Sequence, residues 1–257
     1  MSWLITPTQL LVDDQDALTY LAAVEAADGQ ALESGVRLAV NAFVKGCKGD
    51  GIWPAIKASC ILAGARTRLG ALVPLVGAAP INFNFVDGDY NRKTGLVGDG
   101  TKYLDSNRNN NADPQNSKHI AAFITAAAGI GSASVMGTDT VASGGSWLSR
   151  NTNNTTSSQR ANSAASYFYT NAFPISSKLL GVSRSASAAQ SHIAAGGVQS
   201  STLVSAAPIN ENILVFRALG LFCPFRLAFY SIGENLDLAI LDARVTTLVN
   251  ALSAAIP

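Results

Sequence analysis

Two kinds of hydrophobic spacing divide the chain. Ala17, Leu18, Leu21, Ala22 and Val24 recur at helical intervals, and Asp13 or Asp14 stands where a carboxylate can cap the free N–H groups of the first turn. Asp28-Gly29 ends that helix. Leu32, Val36, Val40, Phe43 and Val44 make a second one-sided stripe, closed by Gly46, Gly49 and Gly51. Residues 52–56 read as a short final turn. From about residue 72 to about residue 230 the period changes. Short apolar runs alternate with turn clusters: 81–86 before Asp87-Gly88, 96–97 before Gly98-Asp99-Gly100, 119–125 before Gly129, then 166–170, 179–183, 203–205, 213–219 and 226–231. Turn signals at such intervals predict a β-sandwich or a barrel. Gly98 and Gly100 are expected to supply positive φ for a tight connection. The tracts 107–116 and 151–159 are rich in Asn, Ser and Thr and read as loops. Leu238, Leu241, Val245, Leu248 and Leu252 then return to helical spacing, with Asn235 as the expected cap and Asp237 in the first turn.

Composition narrows the function. Charged residues are 14% of the 257, against roughly a quarter in an average soluble protein. A surface so poor in charge suits a subunit that buries area in an assembly. The net charge of +1 offers no basic face for nucleic acid. The most apolar stretch, 61–81, is broken by Arg66, Arg68, two prolines and several glycines, so no membrane helix is expected there. Met1 leads into Trp3-Leu4-Ile5 without a basic stretch or a small-residue cleavage site, and no secretory leader is expected. Cys47, Cys60 and Cys223 are odd in number and lack CxxC spacing; they read as reduced, part-buried thiols. With only His119 and His192 beside them, no zinc site is expected.

Catalytic patterns are missing from the sequence. Glycoside hydrolysis needs two carboxyl groups across one bond. Here Glu25 and Glu33 fall in the predicted helices, Glu211 stands alone, and Glu234 precedes the last helix. Asp87 and Asp89 have strand spacing, but Gly88 between them marks a turn. Neither GxSxG nor a glycine-rich phosphate loop occurs. His119 lies in an apolar strand and reads as structural; His192 lies in a Ser/Ala-rich segment read as a loop. No enzyme and no cofactor are expected. The one metal candidate is calcium at Asp87, Asp89, Asn91 and Asp99, hard oxygen donors close in sequence; a hydrated Asp/Asn turn is the plainer reading.

Four segments stand out, in this order along the chain. They are Val40-Asn41-Ala42-Phe43-Val44 through Asp50-Gly51-Ile52-Trp53 to Ile56-Lys57; Leu96 through Gly98-Asp99-Gly100-Thr101 to Tyr103-Leu104-Asp105; Asn116-Ser117-Lys118-His119-Ile120; and Phe229-Tyr230-Ser231-Ile232-Gly233 within 227–236. Together they resemble a family of phage virion proteins with a laminin-G or concanavalin A-like domain, and the resemblance covers roughly residues 36–257. Trp53 is expected to cover the edge of the sandwich core. The resemblance implies a mainly β fold, a concanavalin A-like jelly-roll sandwich with N-terminal helices and one C-terminal helix. It divides the chain into a helical region at 1–58, a sandwich at 59–232 and a helix at 233–257 that packs on the sandwich or a neighbour. The implied function is a structural protein of a tailed bacteriophage virion, tail, tail-tip or fibre-associated, assembled in the bacterial cytoplasm. Its partners would be other virion proteins and itself, as a homotrimer, through the stripes Val36, Val40, Phe43, Leu241, Val245 and Leu248. Two alternatives stay open. One is a capsid decoration protein. The other is a module binding host surface glycan, with Asn109, Asn110, Asn111, Asn153 and Asn154 bracketing the sugar and Tyr103, or else Tyr167 or Tyr169, stacking on it. The two glycosylation triplets in Asn153-Asn154-Thr155-Thr156 would go unmodified in a bacterial cytoplasm.

Overall fold

The computed structural model describes residues 13–173 and 178–257; the reading of Met1 to Ile5 lies outside them. The chain opens with helices α1 (Gln15–Asp28) and α2 (Ser34–Gly49). Next come β1 (Ile56–Ile61), the single turn α3 (Arg68–Ala71), β2 (Ile81–Phe83), β3 (Tyr90–Asn91), β4 (Gly95–Val97), β5 (Tyr103–Asn109), β6 (Lys118–Ala126), β7 (Ala133–Gly137), β8 (Gly145–Arg150) and β9 (Ser157–Ser163). The second half holds β10 (Tyr167–Tyr169), β11 (Lys178–Ala186), β12 (Ala189–Ala194), β13 (Gly197–Ser201), β14 (Asn212–Val215), β15 (Arg217–Ala218), β16 (Leu221–Phe222), β17 (Arg226–Gly233) and α4 (Leu238–Ala255). Asp14 caps α1 by accepting from Asp16 N, and Gly29 closes it at φ 70°.

The strands form two large antiparallel sheets. One, sheet A, runs β13-β12-β11-β6-β17-β4-β3, with β1 also paired to β17; the other, sheet B, runs β10-β9-β8-β7-β14-β5-β2. The fold is the expected mainly β sandwich with helices at either end of the chain. The helices add a third layer. On β6, Ile120, Ala122 and Ile124 point between the sheets, while Ala121 and Phe123 face the helices. On β17 the alternation is reset by an irregularity near Leu227: Leu227, Tyr230 and Ile232 face sheet B, and Ala228 and Phe229 face the helices. Phe43 of α2 meets Phe229 edge-on, 5.7 Å between ring centres. The middle of sheet A is therefore buried on both faces, which accounts for the near-continuous apolar run of β6.

The helical stripes are spent in this layer. Val36, Val40, Phe43, Leu241, Val245 and Leu248 are all buried within the one chain, against sheet A and one another. That corrects their expected role as subunit contacts: an occupied core residue has no surface left to offer. By length and mean hydropathy (1.3) α4 could cross a membrane, but its stripe is buried on sheet A. The helices and the sheet share one apolar cluster, and β1 begins at Ile56, ahead of the division drawn at residue 58.

Local expectations also shift. Asp237, not Asn235, caps α4, accepting from Ala239 N and Ile240 N; Asn235 accepts instead from the Ser183 hydroxyl. Trp53 packs on the helical layer, its indole N–H on Asp16 at 3.1 Å, and not on the core between the sheets. Gly98 and Gly100 do not have positive φ; Gly95 does, at 95°. Gly98 is needed for space, since a Cβ there would stand 2.1 Å from the Cys223 carbonyl oxygen. Residues 157–159, read as loop, open β9, and 203–205, read as strand, follow β13 as irregular chain.

Candidate functional site

The exposed surface with the most organised chemistry is the rim of sheet B at β2 and β5. Cross-strand register sets Phe83 opposite Tyr103, and the two rings stack at 4.3 Å with 5° between their planes. The Arg217 guanidinium lies 5.1 Å from the Tyr103 ring centre and 4.9 Å from that of Phe222. Asp139 holds Arg217 with two oxygens, at 3.1 and 2.6 Å, and accepts Gly220 N at 2.8 Å. This fixes the hairpin of β15 and β16 against the rings. Phe83 lies on an edge strand and is 36% exposed, with Ile81 and Leu221 exposed beside it. Farther along β5, Asp105 accepts both hydrogen bonds of the Asn212 amide, at 3.0 and 3.1 Å. A flat ring backed by a fixed cation and flanked by polar groups can stack on the apolar face of a ligand ring.

Of the sequence-named glycan residues, only Tyr103 belongs to this rim. Asn110 is buried, giving its amide to Gly144 O and Asn162 Oδ1. Asn109 caps Asn111 N and donates to Asn210 Oδ1; Asn111 is exposed. Asn153 caps Thr155 and Thr156, and Asn154 accepts from Gly131 N at 2.6 Å. Strand directions place the two loops at opposite ends of sheet B: Asn109 is the last residue of β5, whereas Asn153 lies in the turn from β8 to β9. They cannot bracket one sugar. Tyr167 and Tyr169 lie at the other side of the sheet, on β10. Phe83, Arg217 and Phe222 escaped the sequence reading because their pairing is nonlocal; the aromatic residues of β2 and β5 were the available signal.

The calcium candidates are engaged otherwise. Lys102 lies between Asp89 and Asp99, its ammonium 2.7 and 2.9 Å from their oxygens. Asp87 points outward to Arg68, and Asn91 caps Lys93 and Thr94. Among the described residues no group of three His, Cys, Asp or Glu is placed to hold a metal ion. The carboxylates considered for acid–base work are likewise apart: Glu25 pairs with Arg37, Glu33 with Arg92, Glu234 with Lys57, and Glu211 accepts from Thr140.

Both histidines are buried in sheet A. His119 Nδ1 lies 2.5 Å from the Glu234 carbonyl, which only accepts, so Nδ1 carries the proton and Nε2 accepts from Ser231 at 2.7 Å. His192 is on β12, not in a loop; it stacks on Tyr167 and hydrogen-bonds Gln159 and Ser201. Burial pushes His119 down to about 4 and, with Arg184 nearby, His192 down to about 3. The three thiols are buried and free, each pushed up by burial to about 12, which makes them inert.

Comparison with known proteins matches the fold and little else. No protein-family model matches the chain, and no curated protein matches it. Among solved structures, the botulinum neurotoxin serotype D binding domain superposes with a TM-score of 0.51 at 9% identity, over 75% of this chain and 50% of that one. The receptor-binding domain of botulinum neurotoxin mosaic serotype C/D gives 0.51 at 11% identity over the same shares. A mutant Trypanosoma rangeli sialidase gives 0.48 at 11%, over 81% and 39%. This chain thus spans about half the length of the binding domains it matches. At such identity the likeness establishes a lectin-like β-sandwich and no activity.

The buried histidines generate a pH dependence. Their folded pKa values lie below the ordinary 6.5, so the unfolded chain takes up protons first as pH falls. The stability they contribute is present above about pH 6.5 and is lost toward about pH 4, each histidine adding a slope approaching about 1.4 kcal/mol per pH unit. Urea unfolding across that range should show the loss, and a His119→Gln, His192→Gln variant should show a flatter profile. An unchanged slope in the variant would contradict the assignment.

Proposed function

We propose that this chain is a non-enzymatic structural protein of a tailed bacteriophage particle, a tail, tail-tip or fibre-associated subunit that displays a lectin-like sandwich. One observation carries the reading. The four segments that resemble phage virion proteins are scattered between residues 40 and 236, yet they fold side by side. The first runs into β1, the second holds Leu96 and Val97 of β4 before it enters β5, the third opens β6, the fourth contains most of β17, and β17 hydrogen-bonds to β1, β4 and β6. Scattered motifs that close into one patch are what a shared fold leaves in a sequence. Low charge and buried, unreactive thiols suit a subunit made in a reducing cytoplasm and built into an assembly.

The rim of Phe83, Tyr103 and Arg217 favours a second role, in which the sandwich meets host surface glycan. An exposed ring on a rigid strand stacks on the C–H face of a sugar at small entropic cost. The reading agrees with a fold that neurotoxin binding domains share.

Two measurements check these roles. Quantitative mass spectrometry of purified particles should find roughly three to twenty copies, as a closed tail appendage requires. A ratio near one per capsid subunit would instead make the chain a capsid decoration protein, and its absence from particles would overturn the reading. On a glycan array the wild type should bind with or without calcium, and Phe83→Ala should bind up to roughly tenfold more weakly, the scale of one ring contact of about 0.5–1.5 kcal/mol. Equal binding by the variant would remove the rim from the account.

A further inference from the structure

The side of the sandwich opposite the Phe83 rim ends both sheets. There, among the described residues, β13 pairs with β12 alone, and β10 with β9 alone. The two edges lie together, since the Tyr167 hydroxyl on β10 donates to the Gln199 side chain on β13. An open edge presents unpaired N–H and C=O groups, and proteins ordinarily guard it with a lysine, a proline, an inward charge or a bulge. β13 has none of these. Its sequence is Gly-Val-Gln-Ser-Ser, and its register with β12 is unbroken from Gly197 to Ser201. The bareness extends beyond the strand: between Arg184 and Glu211 the chain carries no Asp, Glu, Lys or Arg. Exposed apolar side chains accompany it, Val198 at 48% and Phe168 of β10 at 59%.

The edge is also held rigid. Arg184 is fully buried with no carboxylate partner among the described residues. Its guanidinium donates to Ala161 O and Ser163 Oγ on β9, to Ala186 O at the end of β11, to Ser187 O in the turn after it, and to Leu203 O just beyond β13. All five N–H donors are used. The chain on either side of the β12–β13 hairpin is thus anchored, which lowers the entropic cost of pairing along its edge.

We propose that β13 is a self-association edge, pairing antiparallel with β13 of a second copy of this chain so that sheet A continues across a twofold axis. Charge favours this occupant. β13 carries no charge of its own, so two copies meet along it without like-charge repulsion. The apolar stripes of the helices are consumed inside the chain, so they do not compete as the contact. A twofold contact brings the same patch to both sides, which a single self-complementary strand satisfies. This inference goes beyond the virion assignment and does not depend on it.

The test is sedimentation of the full chain over a concentration series, with Val198→Lys as the edge variant and Val141→Lys, at an exposed position outside the strands, as the charge control. Wild type and Val141→Lys should dimerise alike. Val198→Lys should weaken dimerisation at least roughly tenfold, with an unchanged melting temperature. Hydrogen exchange should show the β13 amides protected in the dimer and open in the variant. A wild type that stays monomeric, or a Val198→Lys chain that dimerises equally, would overturn the proposal. A monomeric wild type whose β13 amides gain protection only on adding a foreign strand-forming peptide would overturn it too, by assigning the edge to another partner. A monomer that is nonetheless counted in particles would defeat this inference and leave the virion reading standing.

Discussion

The pairing of β6 with β17 is the interaction on which the rest of the molecule depends. These strands run together over most of their length at the middle of sheet A, and each presents one face to the helices and the other to sheet B. Neither apolar cluster can close without them. β17 also carries β1 and β4 as neighbours, so the chain from Ile56 to Val97 is tied to its far end. His119 joins the same place, linking β6 to Ser231 and to the carbonyl of Glu234 just before α4. The sequence separation of these contacts makes folding a late, collective event rather than a local one.

A second constraint comes from polarity. β9 reads Ser-Ser-Gln-Arg-Ala-Asn-Ser, and every residue of it is buried. Such a strand stands only when its side chains find partners inside. Asn162 binds Ser146, Asn110 and the Gln115 carbonyl; Gln159 reaches Ser157 and Ile193; Arg160 stacks on Trp147 at 4.2 Å and donates to Ala142 O. At one end of the same region Lys118 and Asp113 form a fully buried pair that Arg108 joins from the rim. The charge missing from the surface is thus partly placed inside, where it fixes geometry. The surface keeps an aromatic rim on one side and a strand edge without charge of its own on the other.

Legibility followed physics. Helices α1, α2 and α4 announced themselves because each buries one stripe, and β6 and β17 because a strand buried on both faces needs an apolar run. Turn spacing narrowed the class to a sandwich or a barrel, and the four-segment resemblance singled out the sandwich. β8 and β9 were missed because hydrogen bonding, not hydropathy, pays for their burial. The asparagine loops looked like one site because composition carries no direction; antiparallel order sends them to opposite ends. The calcium reading saw four oxygen donors in the sequence but not Lys102, which folding sets between two of them. The role given to the helical stripes failed for a related reason: periodicity says that a face is buried, and not by what.

The central claim is that the helices and the sandwich are one cooperative unit joined through sheet A. Native-state hydrogen exchange on the isolated chain addresses it most directly. The account predicts that the amides of β6, β17 and the buried turns of α2 and α4 open together, at the free energy of global unfolding. Exchange of the α2 and α4 amides at a distinctly lower free energy, with β6 and β17 still protected, would contradict it and make the helices a separate, detachable layer.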